Sequence, residues 1–430
     1  MSLALLSTAF SFAQGLSPLR VKGNQLVNKQ GQRVLLHGVM DTPNPYFNSY
    51  RWGHGCTDEK AGDCIAYFDK IFAAITDKSQ GAYCNVFRLH LDPCWTNDPQ
   101  LKSDGKAQGE ADISRFSVER LRKYMDVVYW PIIRKALNRG LYVIVRPPGV
   151  CPHHIEVGGE YQRYLLTVWD VVSRHDSIRA NSGVVSLELA NEPVDVTLSG
   201  WRKDSTALRD FFQPVLDKVR KNRFKGIVWI PGSGWQSHYA DYARCPIKGK
   251  DFGYAVHVYP GWYGASDEHP DHEAFIRQFG VQVPVVKTHP IMVTEIDWSP
   301  EVPGKGKLNE FGKYVPANMG SWGTATTSKW GLAFKAVKDF YGNIGMTLTS
   351  TDDYVDMPEY LRSGTVRPAF GAEPEACGKA CFDWYRDYSK SKGEPLSLLY
   401  VGSHLKSCFF ETTRPPTKSS RRLRLSARVR

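Results

Sequence analysis

Eight short runs rich in β-branched and other apolar residues recur along the chain, at residues 34–40, 85–91, 141–146, 184–190, 227–231, 254–259, 291–296 and 344–349. The apolar positions are largely consecutive rather than alternate, which marks strands buried on both faces. Segments of helical length lie between the runs, at 64–79, 118–138, 161–174, 205–222, 237–243, 272–281 and 327–341. In the second of these, Val118, Leu121, Met125, Val128 and Ile132 recur every three or four residues and therefore share one face. Gly140, Gly183, Gly226 and Gly253 precede strands, as expected where a helix stops and a strand begins.

Eight two-faced strands alternating with helices specify a parallel sheet, and eight repeats of the unit specify its closure into a (β/α)8 TIM barrel of the α/β class. An open doubly wound sheet is the competitor. It would carry a glycine-rich phosphate loop after the first strand, where Gly38-Val39-Met40-Asp41-Thr42-Pro43 stands instead. Residues 20–32 read as a small hairpin plugging the barrel floor, and 373–391, with Phe382, Trp384, Tyr385 and Tyr388, as a closing helix on the outside. A single catalytic domain over 14–400 is expected.

Composition narrows the class without changing the fold. Hydrophobic residues make up 42% and charged residues 23% of the 430, which is globular rather than disordered or fibrous usage. No stretch approaches the roughly 20 apolar residues of a membrane helix. The net charge of +11 would suggest nucleic acid, but residues 402–430 alone hold eight Lys and Arg against one acid, Glu411. The rest of the chain carries 47 basic and 43 acidic residues, too even a balance for a nucleic-acid footprint. The tail over 401–430, with Pro-Pro, Ser and Arg but no apolar period, reads as disordered, a basic arm or a cloning or read-through remnant.

The apolar start followed by Ser11-Phe12-Ala13-Gln14 makes residues 1–13 the remnant of a secretory signal, although no basic residue precedes the apolar run. Export permits disulfides. Of nine cysteines, Cys408 lies in the tail, and the remaining eight (Cys56, Cys64, Cys84, Cys94, Cys151, Cys245, Cys377 and Cys381) could bridge in pairings their spacing cannot decide. Cys84 and Cys94 flank one strand and are too far apart to bridge each other. The absence of CxxC and HExxH spacing argues against zinc, and Cys151-Pro152-His153-His154 reads better as a loop than as a ligand group.

In barrels of this kind the working residues sit at the C-terminal ends of strands. The fourth run continues Leu189-Ala190-Asn191-Glu192-Pro193 and the seventh ends Val293-Thr294-Glu295-Ile296, so each brings a carboxylate to the rim. A single strand-end Glu more often caps a neighbouring helix. Two that face each other across the mouth are what retaining glycoside hydrolysis requires.

These residues resemble glycoside hydrolase family 5, the cellulase family of the clan of retaining barrels. The resemblance rests on Asn191-Glu192-Pro193, on His257-Val258-Tyr259, on Glu295 after Ile291-Met292-Val293-Thr294, on Phe87-Arg88-Leu89 and on Leu36-His37-Gly38-Val39, and it spans about residues 20–392. It implies Glu192 as the acid/base, which must start protonated, and Glu295 as the nucleophile, which must stay ionised. Arg88 would hold Glu295 charged, Asn191 would donate to the sugar 2-OH, Tyr259 would bond Glu295 and His257 would line the bound sugar. Two departures stand out. Arg146-Pro147-Pro148-Gly149 replaces the Trp-His pair common in relatives, leaving the roles of His153 and His154 open, and the eighth strand has no Trp in Met346-Thr347-Leu348-Thr349-Ser350-Thr351-Asp352.

Aromatic residues crowd the loops after the strands: Tyr46 and Trp52, Trp95, Trp235, Trp262 with Tyr263, Trp298 and Trp322. Sugar faces stack on indole rings, so Trp52, Trp95, Trp235, Trp262 and Trp298 are the expected platforms, with loop packing as the competing use. The expected protein is a secreted, monomeric endo-β-1,4-glucanase that acts on β-linked glucan and needs no metal or cofactor. Another β-glycanase of the family (an exo-glucanase or β-glucosidase, a mannanase or a xyloglucanase) and a non-catalytic glycan-binding barrel are the alternatives. A Schiff-base aldolase has no strand-end Lys to support it. Removing residues 402–430 should leave hydrolysis of β-glucan unchanged in an assay of the purified protein, and a large loss of turnover would overturn this reading of the tail.

Overall fold

The eight apolar runs become eight parallel strands of a closed barrel in a computed structural model of the chain. They are β1 (His37–Asp41), β2 (Val86–His90), β3 (Tyr142–Arg146), β4 (Val185–Glu188), β5 (Val228–Pro231), β6 (Phe252–His257), β7 (Ile291–Ile296) and β8 (Ile344–Leu348). The structure describes residues 15–391, apart from 267–268, 301–303, 305, 309–311, 313, 316–327 and 372–375. The expected leader at 1–13, the tail at 401–430, Cys408 and Trp322 lie outside the described residues.

The strands follow one another round the barrel in sequence order, and β8 closes it on β1 through Met346 opposite His37 and Leu348 opposite Val39. All eight expected strands form, each within a few residues of its apolar run. The helices also form where expected, among them Asp58–Ile75, Glu160–Arg174, Ala207–Lys221, His272–Gln282 and Ser328–Tyr341. One differs in detail: the helix over 118–138 is interrupted by a π-helical turn at Met125–Tyr129. Pro131, just beyond it, has no N–H for the ladder, and a looser turn absorbs the defect.

The hairpin plug forms as an antiparallel pair, Arg20–Lys22 with Gln25–Val27. Leu19, Leu26 and Leu36 pack there against the barrel residues Val86, Tyr142, Ile144, Ile227, Trp229, Ala255 and Met292, sealing the floor with side chains. The closing helix spans Cys377–Lys390, and its Tyr385 hydroxyl donates to the Gly38 carbonyl of β1 at 2.8 Å. Among the described residues Cys56 is bridged to Cys94, joining the loop after β1 to the short helix Pro93–Thr96 after β2. Cys84 remains a buried thiol. No helix among the described residues is long and apolar enough to cross a membrane.

Gly38 is where the barrel is least able to yield. It pairs with Val86, and a Cβ there would lie 1.8 Å from the Val86 carbonyl oxygen. Gly38→Ala should therefore force β1 and β2 apart and destabilise the fold by about 3 kcal/mol, read from urea unfolding. An unchanged midpoint would contradict this packing argument.

Candidate active site

The C-terminal strand ends converge on one buried cation. Arg88, on β2, is fully buried. Its Nε donates to Glu188 Oε2 at 2.6 Å and its Nη2 to Glu188 Oε1 at 3.1 Å, a bidentate pair with the last residue of β4. Nη2 also donates to Asn191 Oδ1 at 2.7 Å, and Nη1 to Glu295 Oε1 at 2.8 Å. Burial alone would lower the Arg88 pKa, but the Glu188 and Glu295 charges outweigh it and raise it above its ordinary value.

β7 is bulged where it meets this cation. His257 of β6 pairs with Glu295 although Val256 pairs with Val293, so Thr294 is an extra residue on β7. The same irregularity separates Val293 from Ile296 against β8. Consecutive strand residues normally point to opposite faces; here the extra residue lets both Thr294 and Glu295 face inward. Thr294 Oγ1 donates to Glu188 Oε1 at 3.0 Å while Glu295 takes Arg88.

Glu295 is 6% exposed. Tyr259 Oη donates to its Oε2 at 2.9 Å, and His257 Nδ1 lies 3.4 Å from the same oxygen. Burial by itself pushes the Glu295 carboxyl up, but the His257, Arg88 and Arg146 charges outweigh it and hold it well below the usual carboxylate range. The group is therefore ionised at neutral pH.

Glu192 sits in the left-handed region, at φ 57°. For a non-glycine residue this costs about 1 kcal/mol and persists only where the surroundings impose it. The imposing element is the turn after β5, where Gly234, Trp235 and Gln236 are all left-handed, at φ 58°, 55° and 59°. Gly234 and Trp235 donate their backbone N–H groups to the Val194 and Pro193 carbonyls, and the Glu192 N–H donates to Gln236 Oε1 at 2.6 Å. Gln236 Nε2 completes the link by donating to Glu188 Oε1 at 3.1 Å.

The result is a close pair of carboxylates. His257 Nδ1 is 3.1 Å from Glu192 Oε1, and one ligand atom each of Glu192, His257 and Glu295 all lie within 4.8 Å of one another. Among the described residues this is the one grouping tight enough to share a cation. Arg88 already stands against Glu295 there, so a cation would meet a positive neighbour.

A family model for cellulase (glycosyl hydrolase family 5) matches residues 61–328, more than half of the chain. The chain belongs to glycosyl hydrolase family 5. Among solved structures, a beta-glucanase from Saccharophagus degradans in complex with cellotetraose superposes at a TM-score of 0.55, with 16% sequence identity over 87% of this chain and 94% of that one. A protein from Cytophaga hutchinsonii does so at 0.52, with 15% identity over 87% and 96%. At such low identity these show the shared barrel fold. The family makes the protein a glycoside hydrolase.

The structure separates the expected aromatic residues. Trp95 is fully buried, with Nε1 donating to the Pro43 carbonyl, and Trp52, 6% exposed, stacks on it at 6.2 Å. Trp298 is buried between Trp330 and Trp384, over Gly331, which leaves room for its ring. The expectation that Trp52, Trp95 and Trp298 are sugar platforms is thus corrected: they pack the rim loops, and the enclosed faces of Trp95 and Trp298 are closed to a ligand. Trp262 is half-buried, edge-on to Tyr259 at 5.0 Å. Trp235 is 46% exposed beside the His153 ring. His257 also departs from expectation: fully buried, it contacts the two carboxylates.

Residues absent from the sequence-based set complete the site. Glu188, Gln236 and Thr294 bond to the groups that hold Glu192 and Glu295. Trp201, 59% exposed and left-handed at φ 62°, adds a platform beside the His154 ring. Of these, Glu188 alone had a signal, as a carboxylate within an apolar strand. Glu188→Gln should leave Arg88 underneutralised in the core and cost about 3 kcal/mol of stability in urea unfolding. A variant within 1 kcal/mol of the parent would show that the pair holds nothing together.

Proposed function

We propose that this glycosidase is a retaining endo-β-1,4-glucanase, secreted and monomeric, with Glu295 as nucleophile and Glu192 as acid/base. The approach of the Glu192 and Glu295 oxygens to within 4.8 Å carries this reading. Retaining enzymes hold their carboxyl groups about 5 Å apart, whereas inverting ones leave roughly 6.5–9.5 Å for a water.

In the first step a Glu295 oxygen attacks the anomeric carbon as the bond to the leaving oxygen breaks, and Glu192 gives that oxygen its proton. In the second, Glu192 takes a proton from water, whose oxygen displaces Glu295 from the sugar. Arg88 and Tyr259 steady the ionised nucleophile. Asn191 has its Oδ1 committed to Arg88, which leaves its amide N–H groups to donate to the sugar 2-OH. His257, between the carboxylates, is placed to orient Glu192.

Endo action is supported by Trp235 and Trp201. Trp235 is tied through its N–H to Pro193, next to Glu192, and the rings of Trp235, His153, His154 and Trp201 follow one another at centroid spacings of 5.8, 4.4 and 6.0 Å. The rings stand edge-on to one another, at interplanar angles of 79°, 64° and 87°, and form an aromatic wall long enough to flank several sugars of a glucan. Secretion is supported by the Cys56–Cys94 bridge together with the apolar start of the chain. The single domain over 14–400, with the tail outside it, remains part of this proposal.

Glu192→Ala and Glu295→Ala should each fold and lose hydrolysis by about three orders of magnitude or more. Azide should partly rescue Glu295→Ala and yield an inverted glycosyl azide. Near-parental activity of either variant on a polymeric β-glucan would remove that residue from its role. A time-resolved product profile on carboxymethyl cellulose, mixed-linkage glucan, xyloglucan, mannan and cellohexaose tests the substrate. Mixed cello-oligosaccharides with an early fall in viscosity are expected; cellobiose or glucose alone would make the enzyme exo-acting, and activity only on mannan or xyloglucan would move the substrate.

A further inference from the structure

A third carboxyl stands at the same mouth and takes no part in the double displacement. Glu110 lies in the short turn Gly109–Ala111, in the loop between β2 and the helix that starts at Val118. Its backbone is fastened to the loop after β3: the Val150 N–H donates to the Glu110 carbonyl at 3.2 Å. Gly149, left-handed at φ 72°, comes so close that a Cβ there would lie 2.0 Å from the same oxygen. Only glycine permits that approach, so the position of Glu110 is a built feature of the rim.

Its side chain is 30% exposed and lies 3.9 Å from His90 Nε2 and 4.0 Å from Arg146 Nη2. Both separations are beyond hydrogen-bond reach; the approach to Arg146 is an ionic contact, whereas burial and the Arg146 and Arg88 charges push the His90 pKa well down and leave that ring neutral. No hydrogen bond to the Glu110 carboxylate is present among the described residues. Arg146, buried at the end of β3, donates Nη1 to the Gly149 carbonyl at 2.7 Å and Nη2 to His90 Nδ1 at 2.8 Å, while its buried Nε has no partner. A buried guanidinium N–H without a partner is costly unless a hydrogen-bonding group reaches it, and the Glu110 carboxylate near it is open to the rim. Both border the reacting centre: Arg146 pairs with His90 on β2, two residues beyond Arg88, and the loop that holds the Glu110 carbonyl continues to Cys151, whose N–H donates to the Asn191 carbonyl at 2.8 Å.

We infer that Glu110 is a sugar-binding residue, its carboxylate accepting hydrogen bonds from ring hydroxyls of the sugar held over Glu295, with Arg146 and His90 as the frame that aims it. The inference rests on the glycosidase reading above and adds a specificity-determining contact to it. Two carboxylate oxygens suit a pair of neighbouring hydroxyls, and a sugar substituted at either one leaves an oxygen without its donor. Burial, opposed by Arg146 and reinforced by Asp92, Glu295 and Glu192, pushes the Glu110 carboxyl up to about 7. Its strength as an acceptor therefore falls as pH drops below neutrality.

The test compares the full-length parent with Glu110→Ala and Glu110→Gln on cellohexaose between pH 5 and 9. Glu110→Ala is expected to lower kcat/KM by about tenfold to a hundredfold, the effect of one or two hydrogen bonds to a charged group. Glu110→Gln, which keeps one acceptor oxygen, should lose less. The parent KM should rise as pH falls through about 7, and that rise should vanish in both variants while the pH dependence of kcat, set by the Glu192 and Glu295 pair, persists. A merely structural Glu110 would shift thermal unfolding and leave the KM profile in place. Parental kcat/KM and an unchanged KM profile in Glu110→Ala would overturn this inference alone. A parent protein that hydrolyses no β-glycan would overturn both it and the reading it rests on.

Discussion

The site depends on one buried guanidinium. Arg88 has no water to solvate it, so it must be neutralised by carboxylates that the fold delivers from other strands. Glu188 does this from β4 and Glu295 from β7, and Asn191 and the Met40 sulfur take the remaining two donors. A buried pair of this kind adds little net stability, because desolvation offsets most of its Coulomb energy. Its effect is geometric: three strand ends are held to positions that satisfy a planar, five-donor group, and the carboxylate that must remain ionised stands beside a charge that cannot be lost.

Two departures from regular structure serve the same arrangement. The β7 bulge turns Thr294 and Glu295 inward together, so that Glu188 receives a hydroxyl while Arg88 receives its second carboxylate. The left-handed turn at Gly234, Trp235 and Gln236 bends the chain after β5 back onto the segment after Glu192. Both cost local conformational energy, and both are stabilised by the strand ladder beneath them. Gln236 ties them together, since one amide bonds the backbone of Glu192 and the carboxylate of Glu188. The proposed acid/base and the anchor of the proposed nucleophile are thus mechanically linked.

The aromatic residues of the rim differ in how much of each ring the loops cover. Trp52, Trp95 and Trp298 fill the loops, with the Cys56–Cys94 bridge close by joining the first two of those loops. Trp235 and Trp201 keep free faces in strained backbone. Arg146, the neutral His90 and Glu110 form a polar wall held by a glycine contact. Specificity in a barrel resides in such loops, which vary while the strands stay fixed.

The barrel itself was legible in the sequence. Apolar runs at consecutive positions, alternating with amphipathic segments, admit few folds, because burial of both faces of every strand requires a surrounding layer of helices. The placement of Asn191, Glu192 and Glu295 at strand ends was legible too, since a strand end is a place the linear pattern marks. What tertiary structure alone decided is the facing and exposure of side chains. A bulge reverses the alternation on which sequence reading relies, so Thr294 could not be seen as an inward residue. Gln236 acquires its role from a left-handed turn with no distinctive composition. Tryptophans in polar loops look alike in sequence, and whether one offers a face or fills a gap, as Trp235 and Trp95 do, depends on what other loops bring beside it. Glu110 is the sharpest case: its polar loop gives no sign in sequence that Gly149, 39 residues on, lets the loops after β2 and β3 touch.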